Sequence, residues 1–446
     1  LVLAGGVFAA CQGPVSCAVF AQAHEILAFI VVDTATGQVL DQLNAQVPMI
    51  PASLAKLPVL AAVRATLPRD HQFTTRFSHS PQRPGTLIFS GDDPTLDFPG
   101  LNDLAQQAQA ASRPPDGWHA LLVDPGSGPI FTEITSSQAQ AASYNPGLSG
   151  LALNFNRVRL LKRQGVCSAV WGGDPAQAAI PNIKFTFAPP QSPIAVSRNQ
   201  GVETWIMPQD VSPDIELPVG LVPQAIAATL PRLIGQAAIM GQIAPSLAQG
   251  AVEICRRDSP PLDKIIAGCL QYSTNTTAEM LGLYASGTVN LLAPNSLTNV
   301  GKTLLAVLAR RHAHIDWRGA VLENASGLGV GSRLSPVQIV ELLRAEPDFA
   351  QLLRPVGSID ATRLRVKTGT MAYVRGLAGQ FETDTGARRS FAIMTVNSAL
   401  RAQLDQVSPP PLAVPPESRA WLARAKDQER ALLKSWGARD VAVAAL

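Results

Sequence analysis

Between about Thr74 and Leu230 long helical periodicity is scarce, and that gap limits what this chain can fold into. Short strand-like pieces, TLIFSG, ALLVD, IKFTFA and VETWIMP, alternate there with turns rich in Pro, Gly, Ser and Gln. The flanking sequence reads differently. AFIVVDTATGQVLDQLN, from Ala28, alternates and breaks at Thr34–Gly37, which predicts a β-hairpin. PASLAKLPVLAAVRATL predicts a helix, with Pro58 removing a backbone donor just past its first turn. YNPGLSGLALNFNRVRLLK, inside the gap, predicts a turn and a strand. From about Pro223 helices return, LDKIIAGCLQYSTNTTAEMLGLYA being the clearest. VRGLAGQF and SFAIMTVN, joined by ETDTGARR, predict a second hairpin. Trp421, Ala425, Leu432 and Trp436 recur at helical spacing, an amphipathic closing helix suited to docking on a sheet or, as the alternative, to lying on a membrane surface. The pattern predicts an α/β (α+β) chain in which residues 24–73 and 231–446 form one domain and a β-rich region of one or two lobes, 74–230, is inserted into it.

The totals agree. Across 446 residues, 46% hydrophobic and 15% charged side chains supply a large core and exclude a disordered chain. A net charge of +3 gives no basic stripe, so no nucleic-acid partner is implied. The segment up to Ala23 is apolar and uncharged and reads as an export signal whose basic start is missing, with Ala21–Ala23 an A-x-A cleavage site. Cleavage near Cys11, as in a lipoprotein, is a weaker reading of the same segment. An exported, periplasmic protein follows, soluble or in peripheral membrane contact. Cys11 and Cys17 would leave with the signal, and of Cys167, Cys255 and Cys269 the last two are candidates to pair. No Cys/His spacing predicts a metal site, and His312-x-His314 reads as a solvated helix end.

Three short patterns carry chemistry. Only eight of the 36 basic residues are lysine, and Lys56 alone has a serine, Ser53, three positions before it. One helical turn apart, the two share a face. Serine needs a neighbouring base to become a nucleophile. A lysine of lowered pKa can act as that base, whereas arginine stays protonated. Ser273 and Asn275 form the second pattern, S-x-N, where a hydroxyl can relay a proton and an amide can hold a substrate carbonyl. The same spacing recurs at Ser197–Asn199, so alone it is a weak signal. Lys367, Thr368, Gly369 and Thr370 form the third, leading into the hairpin. Glycine there lets a substrate backbone approach. Lys367 and the threonine hydroxyls can bind a carboxylate, and the NH groups of Ser53 and Thr370 can form an oxyanion hole.

S-x-x-K, S-x-N and K-T-G in this order are the active-site set of penicillin-recognising serine enzymes. SGDDPTL (90–96), YNPGLSGLALNFNRV (144–158), STNTTAEML (273–281), SGLG (326–329) and VKTGT (366–370) resemble their counterparts in the D-alanyl-D-alanine carboxypeptidase/endopeptidase family with inserted domains. The resemblance runs from about Ala28 to Trp436. It implies a β-lactamase/transpeptidase-like fold, an antiparallel sheet flanked by helices. It also implies cleavage of peptidoglycan peptides at D-Ala–D-Ala and at D-Ala–diaminopimelate links, acylation by β-lactams, and no cofactor. The chain departs from the family at Asn324, where a carboxylate is usual, and around LLVDPGSGPIF (121–131), which puts substrate side-chain preference in question. Two other readings stay open. A β-lactamase needs an added deacylating base, for which Glu323 is the one nearby thought, and a catalytically silent wall-binding or β-lactam-sensing module needs only the pocket. Oligomeric state is not legible.

Overall fold

The computed structural model describes residues 24–111, 117–126, 128–163, 166–172, 178–212, 214–235, 241–244, 250–289, 296–356 and 364–438. The expected signal segment, with Cys11 and Cys17, lies outside the described residues. The chain divides into two compact units, one of residues 1–65, 266–273 and 301–446, the other of 66–265 and 274–300.

The first unit is built on a six-stranded, wholly antiparallel sheet. Its order is Arg354–Val356, Leu364–Met371, Val374–Glu382, Arg388–Asn397, Glu25–Asp33 and Val39–Leu43. Both predicted hairpins are present, and the first strand starts earlier than expected, at Glu25. Alternation along the strands gives the sheet two apolar faces. Phe29, Val31, Leu377, Phe381, Phe391 and Ile393 point to one side and are covered by Leu432 and Leu433 of the closing helix, Pro416–Ser435. Trp436 packs against Phe29 and Phe391, with ring centroids 5.6 and 6.2 Å away. Its Nε1 donates to Asp41 at 3.0 Å. Trp421 is buried with Tyr373 and Ala425, and its Nε1 donates to Glu25 at 2.8 Å. The apolar stripe of this helix is therefore used on the sheet.

The other face carries helix Pro336–Ala345 and a short 3₁₀ turn, Ala52–Ala55, that runs into helix Lys56–Thr66. Ser335 caps the former, with Gln338 bonding back to close a capping box. Pro58 is the third residue of helix Lys56–Thr66, within its first turn, where a missing backbone N–H costs least.

The second unit contains a five-stranded mixed sheet, ordered Gly241–Ile243, Ala120–Asp124, Thr86–Gly91, Thr74–His79 and Val252–Asp258. Two three-stranded sheets accompany it. The β-rich texture is as predicted, but the region also holds helix Phe98–Ala110, which the sequence reading passed over. Asp97 caps that helix by accepting from the Gly100 amide at 2.9 Å, and Phe98, Leu101, Leu104, Ala105 and Ala108 are its buried face. Position 230, where the insert was expected to end, falls inside helix Val222–Leu233.

Trp421 is a large, fully enclosed side chain with a satisfied N–H. Trp421→Ala should lower unfolding free energy by about 3–5 kcal/mol, seen as a reduced urea midpoint at constant slope.

Candidate active site

Ser53 lies on the 3₁₀ turn, and Lys56 is the first residue of the α-helix that continues it. The tighter winding eclipses side chains three apart. Lys56 Nζ accordingly stands 3.1 Å from Ser53 Oγ. Lys56 is fully buried, while Ser53 stays partly open. Ala52, just before the serine, is in the left-handed region at φ 45°, a backbone conformation that neighbours must enforce.

One of those neighbours is the loop around SGLG. Lys56 Nζ donates to the Ser326 carbonyl at 2.7 Å, a backbone partner that no side-chain pattern announces. Gly327 has φ 75°, and a Cβ there would meet the Ala52 carbonyl oxygen at 2.0 Å, so only glycine lets this loop press on the serine turn. The loop is held by Asn324, whose Oδ1 accepts from the amides of Gly327 at 2.9 Å and Leu328 at 3.1 Å. Only an acceptor is needed there, so the amide does what a carboxylate would, and this departure from the family pattern falls on the loop backbone. Glu323 is likewise engaged, accepting from the Gly331 amide at 2.6 Å.

The sheet supplies the floor. Gly369 and Gly376 are register partners on neighbouring strands. A Cβ on Gly369 would stand 2.5 Å from the Pro51 carbonyl oxygen, and one on Gly376 would stand 2.6 Å from Leu54 Cδ1. The glycine of K-T-G thus seats the serine turn on the strand.

Strand alternation sends Lys367 to the same face as Gly369. Its Nζ donates to Ser273 Oγ at 2.8 Å and to the Thr368 carbonyl at 2.7 Å. Ser273 ends helix Leu262–Tyr272 in the left-handed conformation, φ 57°, which breaks the single predicted helix in two. Burial, more than the neighbouring charges of Lys56, Arg375 and Arg354, pushes Lys367 well below the usual lysine range, while Cys269 acts the other way. Two amine–hydroxyl pairs, Lys56–Ser53 and Lys367–Ser273, therefore sit close enough that the two lysines repel each other's charge.

Thr368 and Thr370 point to the opposite face of the strand. Thr370 is exposed, and its Oγ1 accepts from Arg375 at 2.9 Å. Arg375 is buried and makes three hydrogen bonds of 2.8–3.0 Å to Glu429 of the closing helix. Neither residue was singled out from the sequence. Asn275 opens helix Asn275–Val289, which belongs to the second unit, and its amide donates to the Tyr144 carbonyl at 2.8 Å.

Other expectations need correction. Among the described residues Cys167, Cys255 and Cys269 form no disulfide with one another. Cys255 and Cys269 belong to different units, and Cys255 Sγ lies 3.6 Å from the Leu104 carbonyl instead. His312 is no solvated helix end: its ring is buried and its Nε2 lies 3.0 Å from Glu346, which also accepts from Arg311 at 2.6 Å. Asp124, within the stretch 121–131, accepts from the Gly126 amide at 2.9 Å and so shapes its own turn.

Comparison with known proteins agrees with this architecture. The carboxypeptidase DacB of Mycolicibacterium smegmatis is 26% identical over 392 residues, covering 82% of this chain and 76% of that protein. A carboxypeptidase of Mycobacterium tuberculosis is 24% identical over 408 residues, covering 83% and 76%. The crystal structure of penicillin-binding protein 4 (dacB) from Haemophilus influenzae superposes with a TM-score of 0.65 at 17% identity, over 84% of this chain and 91% of that one. The same protein complexed with a β-lactam gives 0.63. The fold is thus that of the penicillin-binding serine peptidases. The chain belongs to the D-Ala-D-Ala carboxypeptidase 3 (S13) family, whose model matches residues 18–114 and 232–356. It is an enzyme, a serine-type D-Ala-D-Ala carboxypeptidase.

The lowered pKa of Lys367 has a stability consequence. Between that lowered value and the ordinary 10.5 the unfolded chain binds the proton and the folded chain does not, so this group's contribution rises with pH. Urea titrations from pH 6 to above 10 should show the wild type gaining on Lys367→Met as pH rises. A gap that stays constant or moves the other way would contradict the buried, depressed amine.

Proposed function

We propose that the protein hydrolyses the D-Ala–D-Ala terminus of peptidoglycan stem peptides through an acyl-enzyme on Ser53. The observation that carries this reading is the 3.1 Å separation of Ser53 Oγ from the amine of a fully buried lysine. Lys56 in its neutral form takes the serine proton as Oγ adds to the carbonyl of the penultimate D-Ala. The backbone NH groups of Ser53 and Thr370 hold the oxyanion. Ser273, bonded to Lys367 at 2.8 Å, hands a proton to the departing D-Ala amine. Lys367, Thr368 and Thr370 bind the terminal carboxylate, with Gly369 keeping the serine turn against their strand. Asn275, assigned through the S-x-N motif, orients the acyl-side amide. Water then releases the acyl group. No step calls on a metal or cofactor.

The same machinery accepts two further substrates in this reading. A D-Ala–diaminopimelate cross-link presents an equivalent scissile amide, which makes the enzyme a D,D-endopeptidase as well. A β-lactam presents a strained amide beside a carboxylate and acylates Ser53. The β-lactam complex of the H. influenzae protein supports this for the fold. Peptidoglycan as substrate argues for an exported, periplasmic enzyme. Among the described residues no helix is long and apolar enough to cross a membrane. The domain reading stays with the chemistry: residues 24–73 and 231–446 as the penicillin-binding peptidase domain, 74–230 as the inserted region.

Covalent labelling with a fluorescent penicillin tests the reading. Ser53→Ala should abolish the label and reduce D-Ala release from a pentapeptide by roughly a thousandfold or more. Persistent labelling of that variant would reject Ser53 as the nucleophile. Digestion of cross-linked peptidoglycan, scoring dimers and pentapeptides separately, measures the endopeptidase activity.

A further inference from the structure

We infer that Arg375, clamped by Glu429 of the closing helix, is a positioning residue that turns the Thr370 hydroxyl into a fixed outward donor for the substrate's carboxylate. The inference deepens the proposed function and rests on it. A guanidinium has donors only. When Arg375 donates to Thr370 Oγ1 at 2.9 Å, it occupies a lone pair of that oxygen and leaves the hydroxyl hydrogen to donate elsewhere. Thr370 is exposed, on the stretch of strand Leu364–Met371 that lies past its pairing with Arg354–Val356, so an incoming acceptor can reach it. An unassisted hydroxyl would rotate between donating and accepting. A hydroxyl that already accepts from a cation is polarised and committed, which suits an anionic oxygen and not an amide nitrogen.

Glu429 makes this arrangement hold. Arg375 is 3% exposed and Glu429 1% exposed, and the carboxylate takes Nε and one terminal nitrogen of the guanidinium. That two-point grip fixes the plane of the guanidinium and aims its remaining terminal nitrogen at Thr370. It also neutralises the arginine, so the substrate meets an oriented hydroxyl and not a second free cation beside Lys367. Lysine at 375 can make a single-point contact to Glu429 but cannot make both contacts in one plane.

The test compares a D-Ala–D-Ala peptide bearing a free terminal carboxylate with the same peptide as its C-terminal amide, on the full chain. The wild type should prefer the acid. Arg375→Lys and Thr370→Val should each cut that preference about tenfold or more, mainly through KM for the acid, with a smaller loss for the amide. In a double-mutant cycle the two losses should overlap, the pair losing no more than Thr370→Val alone. Glu429→Gln should show a partial form of the same loss. If Arg375→Lys fails to fold, Thr370→Ser and Thr370→Val decide: serine keeps the acid preference and valine loses it. Independent, additive losses from Arg375→Lys and Thr370→Val would overturn the inference. So would equal losses of kcat for acid and amide, or retention of the preference by Thr370→Val. A wild type that neither labels at Ser53 nor releases D-Ala would instead overturn the reading of the site on which it rests.

Discussion

The structure turns on a buried amine. Lys56 has no exposure to water, and its Nζ is fixed between a serine hydroxyl and the Ser326 carbonyl. Removing an ammonium from water costs several kcal/mol, so such a group persists only where the surrounding fold over-determines it. The rest of the first unit can be understood as that over-determination. A sheet strand with glycine at 369 lets the serine turn lie flat, a second glycine at 376 lets Leu54 drop between the strands, and a third at 327 lets the SGLG loop close from the side. Each removes a methyl group that would have lifted the serine turn off its neighbours.

A second amine shares the neighbourhood. Lys367 is held well below its usual pKa by burial first and by Lys56 next. A charge on Lys56 therefore disfavours a charge on Lys367. Both hydroxyls, Ser53 and Ser273, are in contact with an amine.

Much of this was legible in the sequence because it depends on local spacing. The S-x-x-K pair, the K-T-G strand and both hairpins follow from periodicity and turn residues. What escaped did so for physical reasons. The 3₁₀ winding of Ala52–Ala55 depends on the loop and strand pressing against it, which no local pattern encodes. The Ser326 carbonyl is a backbone atom and leaves no compositional trace. The helix Phe98–Ala110 was hidden by its Gln- and Ala-rich outer face, although Phe98, Leu101, Leu104 and Ala108 keep helical spacing. Arg375 and Glu429 left a readable sign that was not weighed: a charge inside the apolar strand VRGLAGQF, and a carboxylate four residues after Ala425 on the apolar stripe of the closing helix. A charge placed where burial is expected points to an opposite charge elsewhere.

The position of Glu429 also orders events in the life of the molecule. It lies on helix Pro416–Ser435, 54 residues after Arg375, so the guanidinium behind Thr370 acquires its counter-charge only once that helix has been made and has folded onto the sheet. A chain cut short before Pro416 keeps the strand and both lysines yet leaves the arginine without its carboxylate. Competence to grip a carboxylate would then wait on the docking of a helix distant in sequence from the strand that uses it.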